Sequence, residues 1–210
     1  MTFSGERRRA LLGRLKACYL TQSDYKETAM KTTTAALLGL LAASVSHAEM
    51  TLSSPDVADG GKLSKQQEYK GFGCDGGNQS PALEWRGAPE GTKSFAITAY
   101  DPDAPTGSGW WHWQVINVPA GVNKLERNAG VENSTALPKG ALQVETDYGS
   151  AAFGGACPPA GDKPHRYQFK VYALGVEKID LPSDSSNALV GYYIHANMLD
   201  RAVIEATYQR

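Results

Sequence analysis

Five segments rich in aromatic and β-branched residues, separated by glycine and proline, constrain the fold of this 210-residue chain most strongly. Their alternation predicts β-strands, over residues 93–100, 111–118, 142–146, 167–172 and 202–208. One helix is predicted over residues 185–199, with Ser185 or Ser186 as its N-cap. Its apolar positions at helical spacing are Leu189, Tyr192, Tyr193 and Ala196. Many strands and a late helix predict a mainly β fold, a sandwich or barrel with helices at one end.

The N-terminal region has the three parts of a secretory signal peptide. A basic start at Met30-Lys31 precedes an apolar run over residues 35–45 and a small-residue cleavage site ending at Ala48. The run is shorter than the ~20 residues that span a bilayer, so it does not predict a membrane anchor. The alternative interpretation of the run is a buried core helix. Residues 1–29 are interpreted as an upstream extension outside the fold. We therefore expect cleavage after Ala48, a periplasmic or secreted protein, and one domain over residues 49–210.

Charge and cysteine content limit the partners of this domain. Of the 21 Lys and Arg and 22 Asp and Glu, residues 1–48 hold 7 and 3, which leaves 14 against 19. This negative balance argues against nucleic acid or an anionic membrane surface as a partner, and no later segment predicts a transmembrane anchor. With Cys18 lost in the leader, Cys74 and Cys157 predict one disulfide in an exported protein. Two free, buried thiols are the alternative.

The first site motif is a proline-stiffened turn that follows the strand over residues 93–100. It presents Asp101 at the strand terminus, just before a turn stiffened by Pro102 and Pro105, although an ordinary turn capped by that aspartate is the alternative. If the next strand completes a hairpin, Asp101 and His112 meet at one end, where the carboxylate favours the imidazolium. Strand periodicity predicts Trp111 and Trp113 on one face and His112 on the other.

The second site motif is a Gly/Pro loop, residues 154–161, that leads into His165 and Tyr167. These two side chains share a face at a strand mouth, where both can donate hydrogen bonds to an oxyanion. The alternative is a core-facing His165 bonded to a backbone carbonyl. His195, on the predicted helix, is interpreted as a surface or packing residue.

Motifs of common hydrolases are absent from the sequence. There is no Gly-x-Ser-x-Gly, His-Glu-x-x-His or paired Cys-x-x-Cys. Asp101, Asp103, His112 and His165 remain an alternative divalent-metal set. We expect a protein that is not an enzyme and has no cofactor and no metal.

Several segments resemble the phosphatidylethanolamine-binding protein (Raf kinase inhibitor-like) family. They are Asn78–Trp85, Asp101–Pro105, Gly109–His112 and Pro158–Tyr167. With the leader and the cysteine pair, the chain is similar to the exported bacterial branch. The resemblance implies antiparallel β-sheets with peripheral helices and a small cavity for phosphate-like anions. By motif position the cavity would be lined by Asp101, Ala104, Pro105, His112, Pro158, His165 and Tyr167.

Three hypotheses of function follow. The leading one is a periplasmic, non-enzymatic protein that binds a small anionic or phosphorylated ligand, with His112, His165 and Tyr167 as donors and Asp101 holding a histidine charged. The second is an exported protein-interaction, effector or inhibitor module with a vestigial pocket. The third is a weak hydrolase that uses a His/Asp pair. A protein partner and a homodimer are left open.

Overall fold

The structure, a computed structural model, describes residues 49–210. The described elements are β1 (Thr51–Ser53), β2 (Lys70–Gly71), β3 (Cys74–Asp75), β4 (Leu83–Arg86), β5 (Ser94–Asp101), β6 (Trp110–Pro119), β7 (Lys124–Leu125), β8 (Leu142–Gln143), β9 (His165–Leu174), α1 (Asn187–Asn197) and β10 (Met198–Tyr208). The upstream extension over residues 1–29, the signal peptide over residues 30–48 and Cys18 lie outside the described residues.

The central sheet has five strands in the order β10-β9-β5-β6-β8, and every pairing in it is antiparallel. Of the predicted strands, the first is shifted by one residue, and those that form β6, β9 and β10 are extended by two to four residues. The predicted strand over residues 142–146 is reduced to Leu142–Gln143. Antiparallel order brings the end of β5 and the starts of β6 and β9 to one end of the sheet. That end carries the residues of both site motifs.

Both faces of the central sheet are covered. A smaller sheet, β1-β4-β7, shares one core with the first face, where the ring of Trp85 lies 5.3 Å from that of Phe95. On the second face, Val190 and Ile194 of α1 pack in a core with Tyr172. The covered faces leave β5 and β6 buried along almost their whole length, and most of their residues are apolar. The predicted mainly β, antiparallel fold with a helix near the C-terminus is confirmed.

Helix α1 begins as predicted but buries a different face. Ser186 is the N-cap and accepts a hydrogen bond from the Leu189 amide at 3.3 Å. Leu189 and Tyr192, expected on the buried face, are exposed, whereas Val190 and Ile194 are buried. The branched aliphatic pair four residues apart packs closely on the sheet, while tyrosine keeps its hydroxyl in water. No helix within residues 49–210 is long and apolar enough to cross a membrane.

A β-bulge near the start of β6 overturns the predicted side-chain alternation. Ala99 pairs with Trp113 and Tyr100 pairs with Trp111, so His112 is the extra residue between them. Two consecutive side chains of a bulge oppose one residue of the partner strand. His112 therefore lies on the same face as Trp113, next to Tyr167, and Trp111 lies on the other face against Tyr100.

Candidate functional site

A cavity of about 180 Å³ opens at the sheet end where β5 stops and β6 and β9 start. All seven residues predicted as ligand-binding line it: Asp101, Ala104, Pro105, His112, Pro158, His165 and Tyr167. Their role in binding stays a prediction. The rest of the lining comes from Phe72, Thr106, Trp110, Tyr148, Cys157 and Pro159. The proline-rich loops and the strand ends thus converge on one cavity that is open to solvent at one side.

Asp101 joins the two site motifs, but its partner is His165 and not His112. Its Oδ2 accepts a hydrogen bond from His165 Nδ1 at 2.7 Å, and both side chains are buried. Its Oδ1 accepts from the amides of Asp103 and Ala104 at 2.8 and 3.1 Å, so it also caps its own turn. The Nε2 of His165 lies 3.4 Å from Asp162 Oδ2. Each ring nitrogen of His165 therefore faces a carboxylate.

The neighbouring Asp103 anchors the turn from outside the cavity. Its carboxylate accepts hydrogen bonds from Arg166 Nε and Nη2 at 2.9 and 2.8 Å and from the Arg166 amide at 2.9 Å. These bonds lower the pKa of Asp103 to about 2, against a smaller opposing effect of burial. The turn is thereby fixed to β9. Among residues 49–210, no three His, Cys, Asp or Glu side chains are placed to hold a metal ion.

His112 is held by the glycine loop on the far side of the cavity. Its Nδ1 donates to the carbonyl of Gly154 at 2.7 Å, and the Gly154 amide donates to the His112 carbonyl at 2.8 Å. A Cβ at Gly154 would lie 2.2 Å from the ring of Tyr148, so only glycine permits this approach. Burial lowers the pKa of His112, although the Gly154 bond and the charge of Asp101 oppose this. The expected Asp101–His112 pair is therefore wrong: the bulge turns His112 toward a carbonyl.

Three polar atoms of the cavity lining are buried without a hydrogen-bond partner among the described residues. They are His112 Nε2, Tyr167 Oη and Trp110 Nε1. Burial raises the pKa of Tyr167, and the carboxylate of Asp101, through its charge and its approach to the hydroxyl, raises it further, so that the hydroxyl stays protonated and can donate. Buried polar groups in native proteins are almost always bonded. Three exceptions around one cavity indicate a site for a polar ligand.

Aromatic rings form one wall and the mouth of the cavity. The ring of Tyr148 stacks on Tyr69 at 4.2 Å and meets Trp110 at 5.4 Å and His112 at 5.5 Å. Its hydroxyl donates to the Gly155 carbonyl at 2.8 Å. Phe72, 70% exposed, lies at the mouth with a backbone φ of 53°, which is unusual for a bulky residue.

A disulfide and the hydrogen bonds of one arginine hold together the two loops at the mouth of the cavity. The predicted disulfide between Cys74 and Cys157 is confirmed and joins the β2–β3 hairpin to the Gly/Pro loop. Arg210 spans the same two loops: its Nε donates to the Pro158 carbonyl at 2.9 Å and its Nη1 to the Gly73 carbonyl at 2.8 Å. The mouth is thus cross-linked close to where Phe72 projects.

The residues that sequence reasoning missed are those that reach the cavity from far along the chain. Tyr148 and Phe72 lie in segments without periodicity, and no local motif marks them. Trp110 directly precedes the two tryptophans of the predicted strand, and no motif marks its indole Nε1 as an unpartnered donor. The sequences around them, Asp147-Tyr148 and Gly71-Phe72-Gly73, predict turns and nothing more specific. Their contribution follows from tertiary contacts.

This mainly β fold, with a small cavity at the strand ends, is that of a phosphatidylethanolamine-binding protein. The family profile described as "Phosphatidylethanolamine-binding protein" matches residues 53–209. The chain belongs to this family.

Two relatives from Escherichia coli strain K12 are similar over most of the chain. The UPF0098 protein YbcL is 54% identical over 173 residues, which are 82% of this chain and 94% of YbcL. The UPF0098 protein YbhB is 48% identical over 159 residues, 76% of this chain and 99% of YbhB. The crystal structure of YbcL, described as a new member of the mammalian PEBP family, superposes with a TM-score of 0.76 and 56% identity. It covers 78% of this chain and 99% of that one.

Proposed function

We propose that this protein is an exported, non-enzymatic binding protein for a small anionic ligand with a phosphoryl group. The unpartnered polar atoms at one cavity carry this proposal. Two of them, the hydroxyl of Tyr167 and the indole N–H of Trp110, are donors with fixed positions. An oxyanion that accepts from both would remove the cost of leaving them buried and unbonded.

The size and rigidity of the cavity support a small head group. Its volume of about 180 Å³ is below the ~300 Å³ at which pockets for drug-sized ligands begin. Prolines at 102 and 105, the Asp103–Arg166 pair and the disulfide fix the surrounding loops. A preordered site loses little conformational entropy on binding. The role of the charged histidine is revised: Asp101 orients His165, and the free donors are Tyr167 and Trp110.

The binding test is an NMR titration of the protein with methyl phosphate, observed at the ring protons of His112 and His165. We expect saturable shifts. Tyr167→Phe should weaken binding roughly tenfold, the effect of one hydrogen bond to a charged group. Tyr172→Phe is the matched control, because that tyrosine is buried against α1 on the other face of the sheet. Absence of shifts at millimolar ligand contradicts the proposal.

Export is supported by the disulfide and by the predicted signal peptide. The test is expression of the full chain in a bacterium, followed by fractionation and N-terminal sequencing. We expect periplasmic protein that begins at Glu49. A cytoplasmic protein that retains residues 30–48 contradicts this part of the proposal.

The hydrolase alternative has its own test. Turnover of phosphate and carboxyl esters is compared between the protein and a His112→Ala, His165→Ala double variant. We expect no turnover above buffer in either. Turnover that the double variant loses would support the hydrolase.

A protein-interaction or inhibitor role is the second candidate function, and exposed Phe72 favours it. A bulky side chain on left-handed backbone persists where the surroundings hold it there, and such strain concentrates at functional positions. Here the disulfide and Arg210 fix both sides of the hairpin. If a partner binds this rim, Phe72→Ala should abolish partner activity that Tyr167→Phe leaves intact. The opposite pattern supports the anion site.

A further inference from the structure

The proton positions on His112 restrict what the cavity accepts. A carbonyl oxygen cannot donate, so the Nδ1 that lies 2.7 Å from the Gly154 oxygen carries a proton. The ring is 3% exposed, and burial lowers its pKa, which favours the neutral form. In that form Nε2 has a lone pair and no proton. This buried nitrogen, unpartnered among the described residues, is therefore an acceptor.

The groups around His112 do not replace the missing proton. Two carboxylates bring negative charge close to the His112 ring. They belong to Asp101, at the end of β5, and to Asp147, which directly precedes Tyr148 in the chain. Tyr148 and Tyr167 pack edge-on to the imidazole at 5.5 and 5.2 Å. A ligand oxygen without a proton would meet the Nε2 lone pair near these charges. A ligand hydroxyl would instead donate to Nε2.

We propose that the cavity selects an oxyanion that brings its own hydroxyl, as a phosphate monoester does in its singly protonated form. Its P–O–H donates to His112 Nε2, and its other oxygens accept from Tyr167 Oη and Trp110 Nε1. A proton-free diester lacks this donor. This inference rests on the proposed function and names the ligand class and protonation state of that site.

A matched ligand pair separates this proposal from a bare anion site. Methyl phosphate and methyl sulfate have the same shape, and near pH 5.5 both are monoanions, because the second pKa of a phosphate monoester is about 6. Only the phosphate carries a proton. The ratio of their affinities is the quantity to measure, since titration of other groups near the cavity affects both ligands alike.

The expected result is a methyl phosphate affinity at least about tenfold above that of methyl sulfate near pH 5.5, the effect of one buried hydrogen bond. The ratio should fall about tenfold per pH unit above pH ~6 as the phosphate loses its proton. Tyr167→Phe should weaken both ligands and leave the ratio unchanged.

Two results overturn the proposal while anion binding stands. A ratio near one at low pH would show that the ligand proton is not recognised. A ratio that stays constant as the pH rises would show that the doubly charged phosphate binds as well as the singly protonated one, so that the ligand proton is not required. If neither ligand binds, the proposed function fails together with this inference.

Discussion

Two polar clusters near the disulfide are built in opposite ways: one is next to Cys74, and Cys157 lines the other. In the first, the carboxylate of Glu68, 2% exposed, accepts hydrogen bonds from Lys65 Nζ at 2.8 and 2.9 Å, from the Asp75 amide at 3.0 Å and from the Tyr208 hydroxyl. In the second, the cavity, three polar atoms have no partner within residues 49–210.

This difference indicates which buried polar groups stabilise the fold and which are available to bind a ligand. A bonded buried carboxylate stabilises the segments that it joins, here the β2–β3 hairpin and the end of β10. An unbonded hydroxyl or imidazole lowers stability unless a ligand bonds it. The cavity is therefore the region where substitutions should affect binding more than folding, and the Glu68 cluster is the region where the reverse should hold.

The largest expected effect is at the disulfide that links the two regions. Replacing Cys74 and Cys157 together by serine should lower the free energy of unfolding by about 4 kcal/mol in the chain-entropy model, because the bond closes a long loop. The two cysteines are 83 residues apart. Urea unfolding of the oxidised protein and the double variant measures this. A loss below about 1 kcal/mol would show that the polar links, such as those of Arg210, suffice.

The second-largest effect on the free energy of unfolding is expected at Glu68. Burial alone would raise its pKa, but the bonds from Lys65, Tyr208 and the Asp75 amide outweigh burial and lower the pKa to about 2. A carboxylate with a lowered folded-state pKa stabilises the protein above its unfolded pKa, and this contribution is lost as the pH falls toward the folded value. Stability should therefore decline between about pH 4.5 and pH 2.

The variant Glu68→Ala should lower the free energy of unfolding by about 2 kcal/mol near neutral pH and lose much of this acid dependence, because it removes the acceptor of the Tyr208 hydroxyl and of the Asp75 amide. Urea unfolding across this pH range is the measurement. Glu84→Ala, which removes an exposed partner of Arg86, is the matched control and should change stability by less than ~0.5 kcal/mol. Equal losses of unfolding free energy in Glu68→Ala and Glu84→Ala would show that the Glu68 cluster stabilises the fold no more than an exposed ion pair does.

The sequence predicted the residues of the cavity better than their bonding. Asp101 and His165 lie at strand ends, which local alternation and proline punctuation mark, and antiparallel pairing brings such ends together. The partner of His112 depends on a bulge, and the bulge depends on how β5 and β6 align, which neither strand reveals alone. Glu68 lies in a segment with no periodic signal, and its bonds form with residues up to 140 positions away.

The smallest effects on stability are expected at two tyrosine hydroxyls, one in each region. Tyr208 and Tyr167 pack in the same core, but the Tyr208 hydroxyl is bonded to Glu68 and the Tyr167 hydroxyl has no partner within residues 49–210. Tyr208→Phe should lose about 1.5 kcal/mol, the effect of a hydrogen bond to a charged group. Tyr167→Phe should leave stability unchanged or raise it by up to ~1 kcal/mol, since it removes an unbonded buried hydroxyl. Urea unfolding of the two variants without ligand measures this difference. A loss in Tyr167→Phe equal to that in Tyr208→Phe would mean that its hydroxyl is already bonded, and the cavity would then differ from the Glu68 cluster only in degree.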